Sequence, residues 1–285
     1  MNTTDIIIRC SALGQVMTEP KLKFDKEAGN LSETAKTFCK NLYREIKYKR
    51  HQEFSSKYTE KGIAMEEDGL TLLSDVRNKF FQKNSERLTN DYVTGEPDAF
   101  IGKSIKEAVE GFDVKCPYTI WTLPFKDEEL NKNYYWQAMG YMWLTGAKKW
   151  TIAYTLVNAP SSLIVAEKQR LWYSMNCPDD TNPQYLRKRI EIEKNLIFDM
   201  KQFLKDNKGF ELDCKLWDYD IPKEDRLVEF VVNRDEAAMQ KIIDQVVKCR
   251  KYLAKTFPSD FGEYVEPIKT KVTIYEPSKE IILTC

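Results

Sequence analysis

One histidine, His51, is all that 285 residues contain, and this scarcity excludes more than any other feature of the composition. No site built on several imidazoles is available, and a serine–histidine–aspartate hydrolase would have to use this residue alone. His51 sits in the basic run "YKRHQEF", which reads as the solvated end of a helix. The seven cysteines, from Cys10 to Cys285, include no CxxC pair. Their odd number and wide spacing argue for reduced thiols, against a disulfide framework or a zinc site. Any metal must then be a hard ion held by oxygen. An excess of charge is missing too: 44 basic residues balance 44 acidic ones. That excludes a protein coating nucleic acid indiscriminately but leaves room for a local basic groove. No apolar run is long enough to cross a bilayer. The opening "MNTTDIIIRC" lacks the basic-then-apolar pattern of a secretion signal, so a cytoplasmic location is expected.

What is present suffices for a folded core. Hydrophobic residues make up 42% of the chain and aromatic ones 12%, and there is no internal repeat or low-complexity linker. Apolar spacing predicts helices over residues 33–54 and 57–83, the second turning Met65, Leu70, Leu73 and Val76 inward. Strand-like segments follow at 92–101 and 111–116, then an aromatic-rich helix over 130–145 closed by Gly146. Residues 150–157, "WTIAYTLV", have the continuous apolar character of a strand buried on both faces. A helix starts at Ser161 or Ser162, and a long charged one spans 182–207. Strand 226–232 precedes a helix over 234–255 with Asn233 as its N-cap. The tail from Ser259 is expected to be irregular, with one strand at "KVTIYE". The class is α/β, a small mixed central sheet flanked by helices, with a helical C-terminal extension. One domain is expected, its core at about 6–157 and its additions at about 161–258.

Two stretches carry the chemistry: "GEPDAF" (95–100) and "GFDVKCP" (111–117). In a strand "FDVKC", alternation puts Asp113 and Lys115 on one face, about 7 Å apart along the strand, while Phe112, Val114 and Cys116 face the core. Pro97 biases Glu96 towards extended geometry and sets the entry to Asp98. If the two strands are neighbours, Asp98 meets Asp113. Two adjacent carboxylates do not both ionise comfortably without a cation between them. The set is either a satisfied internal ion cluster or a divalent metal site whose lysine neighbours an attacking water. In "KGIAMEEDG" Glu66 and Glu67 diverge around a helix, so only one can face such a site, and Glu66 is the expected one. In "YYWQAMGYMW" Gln137 and Tyr141 share a helix face with Tyr134. That glutamine is either a tethered core amide or a polar finger aimed at a substrate or at the lysine.

Together these elements resemble the PD-(D/E)xK nuclease superfamily, in its phage λ-exonuclease branch, also called YqaJ-type viral recombinases. "KGIAMEEDG" is similar to the branch's G-x-x-x-E helix, "EPDAF" to its proline–aspartate turn and "DVKCP" to its acid-x-lysine-cysteine-proline strand. "IRCSALGQVMT" is similar to its Arg/Ser-containing opening. The second acid is Asp113 where the branch commonly has glutamate, which shortens that arm. The resemblance implies a restriction-endonuclease-like core and metal-dependent hydrolysis of DNA phosphodiesters. It assigns Asp98, Asp113 and the Val114 carbonyl to Mg²⁺ or Mn²⁺, and Glu66 to a second ion or its water. Lys115 would orient the attacking water, Gln137 would position Lys115 or the scissile nucleotide with Tyr141 supporting it, and Arg9 and Ser11 would contact a 5′-phosphate. It further implies 5′-to-3′ digestion of linear duplex ends, a homotrimer and a single-strand annealing partner. Alternatives are an endonuclease or RecB-like module, and a catalytically silent DNA-binding protein of the same fold.

Overall fold

The computed structural model describes residues 2–52 and 56–264; the strand expected at "KVTIYE" lies outside them. In chain order come strand β1 (Ile8–Arg9) and helices α1 (Leu13–Val16), α2 (Lys23–Glu27), α3 (Glu33–Tyr48), α4 (Lys57–Ala64) and α5 (Glu66–Arg77). Strands β2 (Gln82–Lys83), β3 (Leu88–Thr89), β4 (Val93–Gly95), β5 (Ala99–Gly102) and β6 (Ala108–Lys115) follow. Next are helix α6 (Lys132–Thr145), strand β7 (Lys149–Thr155), and helices α7 (Ser161–Ser174), α8 (Pro183–Leu196) and α9 (Met200–Asp206). Strand β8 (Leu227–Asn233) and helices α10 (Glu236–Thr256) and α11 (Pro258–Phe261) complete the described chain.

The larger sheet has the order β2-β5-β6-β7-β8 and the smaller β1-β4-β3. Strands β6 and β7 run parallel and the other pairs of the larger sheet antiparallel. A parallel pair needs a long crossover, and α6 lies within it. The two sheet faces are covered by different helices. Helix α6 packs on the face that carries Asp113 and Lys115, and α5 on the opposite one. The α5 face is so tight that a Cβ on Gly69 would stand 2.5 Å from Thr155 Oγ1 and 2.7 Å from Val114 Cγ1. This is why glycine occupies that helix position. Buried residues of β7 explain its apolar run.

Several boundaries differ from expectation. Helix α3 begins where Ser32 Oγ accepts from the Ala35 N–H, and stops at Lys49, which adopts a left-handed φ of 50°. The single helix expected over 57–83 is two, broken at Met65. Glu66, Glu67 and Asp68 form an acidic first turn, which favours the positive end of a new helix over the interior of an old one. Helix α5 then ends at left-handed Asn78, and residues 82–83 form β2. The strand expected over 92–101 is split by Glu96-Pro97-Asp98 into β4 and β5, which belong to different sheets. The helix expected over 182–207 breaks at Ile197 and Phe198, both buried, and restarts where Asp199 caps the Gln202 N–H. Asn233 does not cap α10, because its backbone is paired with Lys149 in the sheet. Asp235 does, accepting from the Ala237 and Ala238 N–H groups.

Helix α10 belongs to the main core. Its Ile242, Val246 and Leu253 are buried in one cluster with Leu13, Val16, Cys39 and Met139. Its buried Arg250 donates to the Ile6 carbonyl at 2.9 and 3.2 Å, so the N-terminal segment and the last long helix are tied directly. A second apolar cluster gathers Tyr118, Leu163, Ile164, Leu196 and Phe203 where the chain leaves β6. Among the described residues no helix is long and apolar enough to cross a membrane.

Candidate active site

Antiparallel pairing of β5 with β6 sets Ala99 opposite Phe112, which brings the preceding Asp98 to the level of Asp113. Asp98 Oδ2 accepts from the Val114 N–H at 2.7 Å. A strand residue directs its N–H and C=O to the same neighbour, so the Val114 carbonyl faces the edge where Asp98 lies. Asp113 is buried at 1% exposure. Its Oδ1 accepts from Gln137 Nε2 at 3.2 Å. Its Oδ2 lies 2.5 Å from Lys115 Nζ, yet it is sealed from solvent without an aligned hydrogen-bond donor. The Lys115 ammonium also lies 4.9 Å from the centre of the Tyr134 ring.

These groups set one another's charge. Burial first, then the like charge of Asp113, holds the Asp98 carboxyl well above the usual carboxylate range, with Lys115 opposing and Glu66 adding to the rise. Burial works against the Lys115 cation, but Asp113 and Asp98 outweigh it and lift the ammonium above the ordinary lysine value. Two carboxyl groups thus meet a single ammonium under a helix, and the groups there able to ligate a metal are carboxyl and carbonyl oxygens, which are hard donors.

Glu66 opens α5 and is the more inward of its pair, with a side chain 40% exposed against 79% for Glu67. It lies 3.9 Å from Lys83, which holds Glu67 at 2.6 Å. Among the described residues no three His, Cys, Asp or Glu side chains already stand close enough together to hold an ion. Asp98 and Asp113 converge, and Glu66 borders them. The donor set fits a hard divalent cation nonetheless. Two buried carboxyl groups repel each other there against the Lys115 ammonium at Asp113 Oδ2, and a backbone carbonyl faces the same edge.

The remaining expected residues fall in two places. Gln137 does not reach Lys115; its amide bonds Asp113 and, at 3.1 Å, the Tyr141 hydroxyl. The reason is the crossing of α6 over β6: Asp113 lies under Gln137, whereas Lys115 lies under Tyr134, about one turn earlier. Tyr141 is buried, and its hydroxyl donates to the Glu96 carbonyl at 3.3 Å, so it faces the proline–aspartate turn and not the surface. Its ring also dictates the glycine there, since a Cβ on Gly95 would stand 2.5 Å from Tyr141 Cε1. Arg9 and Ser11 are exposed at the rim. Arg9 pairs in register with Thr94 and lies 3.9 Å from Glu45. Between them, buried Cys10 packs against Gly95 and Gly140. The structure adds two rim cations that the sequence pattern does not mark, Lys83 beside Glu66 and Arg87, which holds Glu96 at 3.1 Å. Their stretch "FFQKNSERLT" shows no sustained period, and only the short strands β2 and β3 bring it to the site.

No family model and no curated protein matches the chain. Solved structures do. A phage-related exonuclease from Haemophilus somnus 129PT superposes with a TM-score of 0.63 at 26% identity, over 90% of this chain and 97% of that one. The chain has the phage-exonuclease fold. An alkaline exonuclease from Laribacter hongkongensis shares that fold at a TM-score of 0.52 and 13% identity, over 89% of this chain and 94% of that one. The same enzyme in complex with dAMP superposes equally over 89% and 94%, with a TM-score of 0.51. The likeness to the PD-(D/E)xK viral-recombinase branch thus extends from the motifs to the whole phage-exonuclease fold, helical extension included.

Proposed function

We propose that the protein is a metal-dependent DNA exonuclease that hydrolyses phosphodiester bonds at the ends of linear duplex, in the 5′-to-3′ direction. The observation that carries this reading is the convergence of Asp98, Asp113 and Lys115 beneath α6, in a fold shared with exonucleases. Asp98, Asp113 and the Val114 carbonyl would hold Mg²⁺ or Mn²⁺, and Glu66 a second ion or its water. A divalent ion bound there supplies Lewis-acid polarisation of a phosphoryl oxygen and a more acidic water.

The chain's own residues supply the rest. Gln137 holds Asp113 by Oδ1 and so leaves Oδ2 to face Lys115. Lys115 directs its N–H groups towards the attacking water and offsets the negative charge that grows on the phosphate. Tyr141 fixes Gln137 and the Glu96 carbonyl together, which joins α6 to the turn presenting Asp98. Arg9, with its forked donors, and Ser11 would contact a terminal 5′-phosphate. A homotrimer and a single-strand annealing protein are the partners that the family resemblance suggests for this reading.

The test is incubation of 5′-phosphorylated linear duplex with Mg²⁺, with Lys115→Ala as control. Shortening of the duplex by the wild type alone supports the reading. Equal survival of the DNA with both proteins sinks it. Nicking of a closed circular duplex would move the protein to the endonucleases, and protection of 5′-hydroxyl ends would support the rim assignment.

A further inference from the structure

Lys61 is fully buried, and no ion pair among the described residues includes it. Its side-chain nitrogen donates to the Pro117 carbonyl at 2.7 Å and the Tyr118 carbonyl at 3.1 Å, and lies 4.9 Å from the centre of the Phe198 ring. A buried lysine without a counter-charge costs stability that methionine, of similar length, would not. The structure carries it where two main-chain carbonyls need a donor. Burial pushes its ammonium down to about 7, with only Cys116 opposing. The neutral amine has one N–H for each carbonyl, and so satisfies both without a residual charge.

The place matters. Pro117 and Tyr118 leave the sheet directly after Lys115 and Cys116, while Lys61 lies in the last turns of α4, just ahead of the Met65 break and Glu66. Cys116 repeats the connection, its thiol reaching the Met65 carbonyl at 3.3 Å. Phe198, against which the nitrogen rests, belongs to the buried break between α8 and α9, so the helical extension backs the same point. We propose that Lys61 is a positioning residue whose two hydrogen bonds register the α4–α5 junction, which presents Glu66, against the exit of β6, which presents Lys115. Its effect on activity rests on the nuclease reading; its effect on the two segments does not.

The test compares the full-length protein with Lys61→Met, which keeps the length and loses the donors, and Lys61→Arg, which keeps donors. Amide exchange over residues 113–118 and 64–68 is expected to quicken at least about tenfold in Lys61→Met, while β7 keeps its protection. The kcat on 5′-phosphorylated linear duplex is expected to fall about 10- to 100-fold with KM unchanged, because reacting groups shift while the DNA-facing rim does not. Lys61→Arg is expected to recover part of both. Exchange over 113–118 within about twofold of wild type overturns the proposal. So does exchange that quickens equally across β7, which is what a lysine serving only global stability produces. Wild-type protein that leaves duplex intact defeats the nuclease reading alone, and the exchange comparison still decides Lys61. Should Lys61→Met fail to fold, Lys61→Leu, which also lacks a donor on a shorter apolar stem, carries the same comparison.

Discussion

The Asp98 carboxylate accepts the Val114 N–H at 2.7 Å, which latches the turn after Pro97 onto the strand that bears Asp113 and Lys115. The main chain thereby holds one carboxylate beside another that repels it. The arrangement is useful only where something else is to be bound, and its energetic consequences can be measured without any DNA.

Asp98→Asn separates charge from geometry, since the amide oxygen can still accept the Val114 N–H. Burial and then Asp113 raise the Asp98 pKa on folding. The folded state therefore binds more protons than the unfolded one between the ordinary value and the raised one. Stability falls as pH rises through that window, and the loss is complete above it. Removal of the charge is expected to raise the melting temperature of the metal-free protein at pH 8, with each kcal/mol worth about 2–4 °C, and the gain should fade as pH approaches 4. Calorimetry in EDTA across that range reads it. A melting point at pH 8 equal to or below wild type contradicts the repulsion.

Lys115→Met takes from the two carboxylates the cation that touches Asp113. Removing one partner of a buried pair is expected to cost about 3–5 kcal/mol in urea unfolding of the metal-free protein. Mg²⁺ should restore part of it, because an ion that binds the folded state alone stabilises it by mass action. Cleavage is expected to drop about 100- to 1,000-fold even with saturating metal. Unchanged urea stability would mean that Lys115 does not neutralise the pair.

Gln137→Ala frees Asp113 Oδ1. A hydrogen bond to a charged acceptor is worth about 1.5–3 kcal/mol, so kcat is expected to fall about 10- to 100-fold and half-saturating Mg²⁺ to rise. Tyr141→Phe removes only the support behind Gln137 and the bond to Glu96, and should show the same trend at a smaller size. Metal titrations of cleavage rate distinguish them; a Gln137→Ala curve that overlays wild type would reduce this amide to core filling.

Gly69→Ala and Gly62→Ala make a matched pair in α5 and α4. A methyl on Gly69 would meet Thr155 and Val114, whereas nothing lies within 4 Å of a Cβ on Gly62. The first is expected to destabilise by about 1–3 kcal/mol through overpacking. The second is expected to stabilise by about 0.5–1 kcal/mol, the ordinary gain of alanine over glycine inside a helix. Urea melts read both signs, and lost activity in Gly69→Ala alone would show that the seating of α5 on the sheet sets Glu66.

Local reading reached far where local physics decides. The Asp113–Lys115 alternation, the Gly146 stop of α6 and the inward choice of Glu66 over Glu67 all rest on one strand or one helix. It failed where a partner elsewhere overrides the local pattern. Asn233 looks like a cap until β8 claims its backbone, and residues 57–83 look like one helix until an acidic turn restarts it. Gln137 could not be aimed from the sequence, because Asp113 and Lys115 lie on the same strand face and only the crossing of α6 selects between them.

By itself, the order of residues determined which chemistry was possible: one histidine and the absence of a CxxC pair left carboxylates, carbonyls and a lysine as the available machinery. Tertiary structure alone decided which of them meet. Side-chain identity and period are encoded along the chain, but the distance from Asp98 to Asp113, the burial that raises one carboxyl, and the two carbonyls that hold Lys61 arise only from segments brought together by packing.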